Sequence, residues 1–300
     1  MQTCYNFSFA SILIYTPVYI KFKIHKHHNM NTISSMLNDH GTLIQIILYL
    51  VVIVSIWLAE FRVALHSLKE KWQHTSVNLM FILTALPVQL AMTVLVIFVS
   101  GWATLHHWGI LYLLPHSQSA WIKYVAGFFL MDFFEYVYHV IMHKAGPLWN
   151  FHLVHHTDIE MDVSTTVREH PGETFVRVCF QVIWVFLAGA SIGLLLLRQT
   201  VQTFANLIAH TYLQLPAKTE KICGLLFITP NLHHVHHHFE LPYTDCNYGD
   251  VLSIWDRLFG TYKEMKASEI KFGLDVYHGH SPANFLQLIK FPFFRKNKPK

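Results

Sequence analysis

Two histidine clusters stand on either side of an apolar stretch, and together they restrict this chain more than any other feature. The first reads His139-x-x-x-His143, then His152-x-x-His155-His156; the second reads His233-His234-x-His236-His237-His238. Imidazole is the commonest protein ligand for transition metals, and its neutral form suits iron, zinc, copper and nickel. On a helix, residues i, i+3 and i+4 share a face, with Cβ atoms about 5–6 Å apart. His139 with His143, His152 with His155 and His156, and His233 with His236 and His237 therefore each offer convergent nitrogens to one or two ions. The apolar run between the clusters, Phe175 to Leu197 and on to Leu213, sets a topological condition. One metal centre cannot draw ligands from both sides of a membrane, so residues 175–215 must cross it an even number of times. Gly189 and Gly193 offer the bend of a re-entrant hairpin. Irregular backbone at that depth has to be buried in protein or face a cavity.

A membrane setting follows from composition. The chain is 53% hydrophobic and 13% charged, against about 25% charged in soluble domains. Gly41 to Glu60 opens with nineteen uncharged residues, close to the roughly 20 that a span requires. Asn78 to Ala103, interrupted by Pro87, and Trp121 to His143 are further spans. Arg62, Lys69 and Lys71 lie in the 61–77 connection, whereas Gly101 to Ser119 holds no Lys or Arg. The positive-inside rule puts 61–77 in the cytoplasm and 101–119 on the far side. The third helix then returns His139 and His143 to the cytoplasmic face, and residues 216–300 read as a cap of short helices. The expected fold is all-α, a multi-pass transmembrane helical bundle with a cytosolic histidine-rich helical cap.

Residues 41–265 read as one catalytic domain, with its motifs in 120–265, followed by a C-terminal tail, 266–300. Residues 1–40 are assigned no role. Phe7 to Ile20 is apolar but broken by Pro17, and Met30 offers an alternative start. The basic end Arg295 to Lys300 reads as solvated near lipid headgroups. Net charge is +4 with no basic aromatic-laced stripe, which argues against nucleic acid as a partner. Cys4, Cys179, Cys223 and Cys246 are far apart and form no C-x-x-C pair. A disulfide framework and a thiolate metal site are both excluded, and a reducing cytosolic face fits.

Asp132, Glu135 or Tyr136, His139 and His143 make one polar stripe on an otherwise apolar helix. Ionisable groups inside a span mark functional pathways. Asp132 and Glu135 are candidates to orient ligand histidines by hydrogen bonds; the alternative is an interhelical polar contact. His170, in Arg168-x-His170-Pro171-x-Glu173, is a candidate ligand or a partner of one. His210, at the returning end of the hairpin, is costly there unless paired or ligating. His106, His107, His116, His278 and His280 read as ordinary surface or core residues.

Taken together, the boxes resemble the fatty acid hydroxylase / sterol desaturase superfamily of integral-membrane non-haem di-iron enzymes. The matching residues are His139-x-x-x-His143, His152-x-x-His155-His156, Arg168-x-His170-Pro171-x-Glu173, His210 and Pro230-x-x-His233-x-x-His236-His237. Asp245-x-Asn247-Tyr248-Gly249 and Trp255-Asp256-x-Leu258-Phe259-Gly260-Thr261 complete the likeness over about 120–265. The resemblance implies two iron ions held by His139, His143, His152, His155, His156, His210, His233, His236 and His237, with Asn247 joining Asp132, Glu135 and His170 as supporting residues. It implies O2-dependent attack on a C–H bond of a membrane lipid, giving hydroxylation or desaturation. Electrons would come from a separate donor: a b-type cytochrome, a ferredoxin or a reductase. The membrane would be the endoplasmic reticulum in a eukaryote or the inner membrane in a bacterium. Three departures stand out. Val140 replaces a common Arg, His234 and His238 extend the last box, and Asn206 stands where many relatives carry a further histidine.

Rival readings are weaker. A histidine-rich membrane metal transporter would place ligands near the bilayer midplane, whereas these boxes follow helix ends. A membrane zinc hydrolase lacks its H-E-x-x-H and Gly-x-Ser-x-Gly signatures. A metal buffer has no need of three boxes at helical spacing.

Overall fold

The computed structural model describes residues 47, 49–63, 67–115, 120–274 and 284–294, so the expectations for residues 1–40 and 295–300 lie outside the described residues. The chain divides into residues 1–55 and 56–300. In the first unit, residues 49–55 are helical; in the second, residues 56–63 are helical and precede the elements that build the site.

These elements are α1 (Leu68–Leu105), α2 (Ala120–Lys144), α3 (Gly146–His156), α4 (Pro171–Ala188), α5 (Ile192–His210), α6 (Ala217–Cys223), α7 (Pro230–His236), α8 (Ile254–Phe259) and α9 (Phe285–Phe294). No strand longer than an isolated bridge occurs among the described residues. Among the described residues, four helical stretches, 68–113, 121–144, 171–188 and 192–210, are long and apolar enough to cross a membrane. The architecture is thus the all-α bundle that the sequence predicts. Local chemistry sets several helix starts. Ser67 and Glu70 form a reciprocal capping box at α1, and Pro171 and Pro230 occupy first-turn positions where a missing N–H is harmless.

The bundle core joins Val96, Met131, Phe134, Val178, Val185 and Leu194. Phe134 and Trp184 stack at 4.5 Å between α2 and α4. Gly127 on α2 lets Leu194 of α5 approach so closely that a Cβ would lie 2.4 Å from its Cδ2, the small-residue contact common between membrane helices. Outward-facing Leu83, Leu90, Val94 and Phe98 of α1 are exposed, as a surface that meets lipid requires.

The hairpin is present, but one of its expected pivots differs. Helices α4 and α5 are joined by a tight turn with Gly189 at φ 70°. Gly193 instead lies in the first turn of α5, where a Cβ would stand 2.5 Å from the Tyr124 hydroxyl. It serves close packing, not bending. At Gly189 a Cβ would lie 2.0 Å from the Trp108 carbonyl oxygen. Ser100 Oγ donates to the neighbouring Ala190 carbonyl at 2.7 Å, tying α1 to this turn.

The segment after residue 265 is partly packed. Leu288 of α9 is fully buried against Phe81 of α1 and Val154 of α3.

Gly189→Ala is expected to destabilise the protein by about 1–3 kcal/mol, since it forces a side chain into left-handed backbone against a carbonyl. Gly193→Ala meets only a movable hydroxyl and should cost less. Melting temperatures in detergent check the order.

Candidate metal centre

Nine histidines gather into two groups. His139, His143, His152, His156 and His236 form the first, and His155, His210, His233 and His237 the second; within each, one nitrogen per ring lies within 4.8 Å of every other. These are the nine residues that the resemblance proposes as ligands. The groups adjoin, with the His156 and His237 rings stacked at 4.3 Å.

Helical geometry explains the sorting. Residues four apart drift by about 40° around a helix, and residues three apart by about 60° in the opposite sense. Each i, i+4 pair therefore serves one group: His139 with His143, His152 with His156, and His233 with His237. The i+3 member, His155 on α3 or His236 on α7, goes to the other group. Two short helices thus feed both groups, while α2 supplies only the first and α5 only the second. The remaining members of the last box point elsewhere. His234 Nε2 donates to the Thr211 carbonyl at 3.0 Å, and His238 Nδ1 accepts from Lys271 N at 3.1 Å.

The tautomers follow from the outer hydrogen bonds. His139 Nδ1 donates to the Tyr248 carbonyl at 2.9 Å and His152 Nδ1 to Glu173 Oε1 at 2.6 Å. His155 Nδ1 donates to the Arg168 carbonyl at 3.3 Å, His210 Nδ1 to the Asn206 carbonyl at 2.8 Å, and His236 Nδ1 to the Cys246 carbonyl at 2.7 Å. His143 Nδ1 donates to Asp245 Oδ1 at 3.3 Å. A neutral imidazole with its proton on Nδ1 has a bare lone pair on Nε2. Yet His139 Nε2 faces His152 Nε2 at 3.0 Å, and His155 Nε2 faces His210 Nε2 at 3.0 Å. Lone pairs so placed repel unless a cation lies between them. Two nitrogens bound at about 2.1 Å and at right angles to one ion stand about 3.0 Å apart, so the spacing fits shared metal coordination. Among the described residues, buried His236 Nε2 and both nitrogens of His237 have no hydrogen-bond partner, which fits the same reading. The residues present suit two transition-metal ions.

Burial keeps these rings neutral. It pushes His152 down to about 3. Burial first, then the neighbouring imidazoles, holds His155, His156, His233 and His237 well below the ordinary value. Tyr248 and Trp149 pack on His143, with ring centroids at 5.0 and 4.7 Å, and exclude water from the first group.

The expected supporting residues act on elements and not on rings. Asp132 accepts from Trp255 Nε1 at 2.8 Å and Val251 N at 3.3 Å, joining α2 to the cap. Glu135 pairs with Arg198 at 3.2 Å, the interhelical contact named as its alternative. Asn247, at φ 49°, donates to the Leu232 and Lys263 carbonyls and braces α7. His170 has both nitrogens committed, accepting from Gly172 N at 2.9 Å and donating to the Ile289 carbonyl at 3.0 Å. It caps α4 and retains no lone pair for a metal. The carboxylates that do reach ligand rings are Glu173 and Asp245. Both stand in quoted motifs, but spacing alone does not assign them a ring. The second group has four histidines where the first has five, and Asn206 offers its carbonyl to His210.

The depressed histidine values predict a pH effect on the metal-free protein. Unfolded imidazole titrates near 6.5, whereas folded His152 titrates near 3. Between these values the unfolded chain binds more protons, so stability rises with pH. It is fully present above about pH 6.5 and declines as pH falls. The melting temperature in detergent should drop between pH 7.5 and 5, and a flat profile would mean that the rings are solvated.

Residues 124–261 match the family model for fatty acid hydroxylase. Ornithine lipid hydroxylase of Rhizobium tropici is 30% identical over 185 residues, which cover 61% of this chain and 54% of that protein. Human alkylglycerol monooxygenase is 29% identical over 181 residues, 59% of this chain and 37% of the relative. Human cholesterol 25-hydroxylase is 27% identical over 168 residues, 53% of this chain and 60% of the relative. The chain thus spans about half the length of the first of these relatives and less of the second. No solved structure matches it. The matched span contains all nine clustered histidines, and over residues 124–261 the chain is similar to the fatty acid hydroxylase family.

Proposed function

We propose that the protein is an integral-membrane oxidoreductase that hydroxylates a lipid with O2 at a pair of non-haem iron ions. The observation that carries this reading is the convergence of buried imidazole lone pairs into two adjoining groups, at the ends of membrane-length helices. When bound, the irons would supply activation of O2 and oxidation of an unactivated C–H bond, chemistry that amino-acid side chains lack.

The chain's own residues contribute position and dryness. Glu173 and Asp245 hold ring N–H groups of His152 and His143, so each ring presents one defined nitrogen. Trp149 and Tyr248 shield the first group from solvent. The exposed apolar helix faces offer lipid a route along the bundle toward the cap. Hydroxylation consumes one O2, two electrons and two protons, and returns alcohol and water. The electrons require a separate donor such as a b-type cytochrome, a ferredoxin or a reductase. Hydroxylation is favoured over desaturation because the three relatives compared above are named as hydroxylases or a monooxygenase. Their names also favour substrates with a polar end, among them ornithine lipid, alkylglycerol and sterol. The positive-inside pattern supports a cytoplasmic metal site, at the endoplasmic reticulum or a bacterial inner membrane. A transporter is disfavoured, because the two groups adjoin at one place and are not strung along a path.

Purified protein should hold two irons per chain by elemental analysis. Lipids from cells expressing the gene should show a species heavier by one oxygen. His155→Ala and His237→Ala, one residue from α3 and one beyond α7, are each expected to abolish that product while the protein still inserts. Product formation by either variant would remove the ligand assignment.

A further inference from the structure

Arg168 grips His155 from two directions. Its carbonyl accepts the His155 Nδ1 proton at 3.3 Å, and its Nε donates to the carbonyl of Val154, the preceding residue, at 3.1 Å. A guanidinium carries its donors in a fixed planar fork, so anchoring the other arms fixes both contacts. One arm, Nη2, donates to Thr157 Oγ1 at 2.8 Å; the other, Nη1, donates to Asn78 Oδ1 at 3.1 Å. Asn78 is fully buried on α1, and its amide donates to Ser164 Oγ at 2.9 Å. One turn earlier, His74 Nε2 lies 2.9 and 3.0 Å from the two carboxylate oxygens of Asp158. Thr165 Oγ1 donates to the same carboxylate at 2.8 Å. The N-terminal turns of α1 thereby pin the 157–168 segment and, through Arg168, the ring of His155.

The first group is held differently. Its supports are Glu173, Asp245 and the carbonyls of Tyr248 and Cys246, none of them on α1. Helix α1 also lies wholly before the 124–261 span that matches the family.

We propose that Asn78, backed by His74, is a positioning residue for the second histidine group and acts through Arg168. This rests on the two-ion reading above. Removing a partner that orients a ligand ring typically weakens metal binding by about 10–100-fold. Loss of the Asn78 acceptor frees one arm of the fork, and the Arg168 carbonyl no longer holds the His155 ring at one angle. The first group keeps all of its supports.

The test is iron per chain, measured on the full-length protein in detergent after equilibration with iron buffered over a range of free concentrations. Wild type is expected to hold two. Asn78→Ala should lose one ion and need at least about tenfold more free iron to recover it. Asn78→Asp keeps the acceptor that faces Arg168 and should stay near two. Double variants identify the group. In a His210→Ala background, Asn78→Ala should remove nothing further; in a His143→Ala background it should remove the iron that remains, because only coupled residues depart from additivity. Equal loss in both backgrounds, or wild-type affinity in Asn78→Ala, overturns the proposal. If Asn78→Ala fails to fold, His74→Ala is read by the same titration, and unchanged affinity of the second ion overturns it. Wild type without iron would instead overturn the two-ion reading, and this inference with it.

Discussion

Bare imidazole nitrogens aimed at one another across 3.0 Å repel, and this protein builds such contacts in both histidine groups. Nothing about them is favourable in isolation. They persist because the rings of His139, His152, His155 and His210 are fixed from behind by a carbonyl or carboxylate, and because the helices that carry the rings pack through apolar surface elsewhere. The remainder of the structure can be understood as the means of holding that repulsion in place until cations relieve it. Helices α2 and α5 bring ligands to the cap, the α4–α5 turn returns the chain to the same side, and α3 and α7 interleave so that each serves both groups.

The all-histidine set has an electrostatic consequence. Neutral imidazoles contribute no charge, so two loaded ions would be uncompensated by their immediate ligands. Negative charge stands one layer out, on Asp245 beside the first group and on Asp158, held by His74, near His210 of the second. At Asp245 charge balance and ring orientation are thus performed by one side chain. A substitution such as Asp245→Asn would disturb both at once.

Much of this was legible in the sequence, for definable reasons. The i, i+4 histidine pairs are visible because helical periodicity acts locally, and the even number of crossings follows from the demand that one centre lie on one side. The division into two groups was not legible. Whether His155 joins His152 or His210 depends on how α3 meets α5 and α7, which no local pattern encodes. Asp132 and Glu135 lie on the correct face of α2 for ring contacts, but Trp255 and Arg198, distant in sequence, claim them. Gly193 resembled a pivot because glycine serves close packing as readily as turning. The roles of His74 and Asn78 on α1 leave no local signal, since their partners at 157–168 lie some ninety residues further on.

Helix α1 runs unbroken for 38 residues, about 57 Å at 1.5 Å per residue, well beyond the roughly 30 Å of a bilayer's hydrocarbon. Ser100 ties it to the far-side turn, and His74 and Asn78 tie its other end to the cap. A single rod, not a set of loops, therefore sets how far the histidine groups stand from the opposite leaflet. Where bilayer thickness differs, the lipid must deform or the bundle must lean, while the distance between turn and cap stays constant. Under the proposed function, the depth at which a lipid tail meets the histidine groups is in this sense a ruler measurement made by the protein, and membranes of unequal thickness would present different carbons to it.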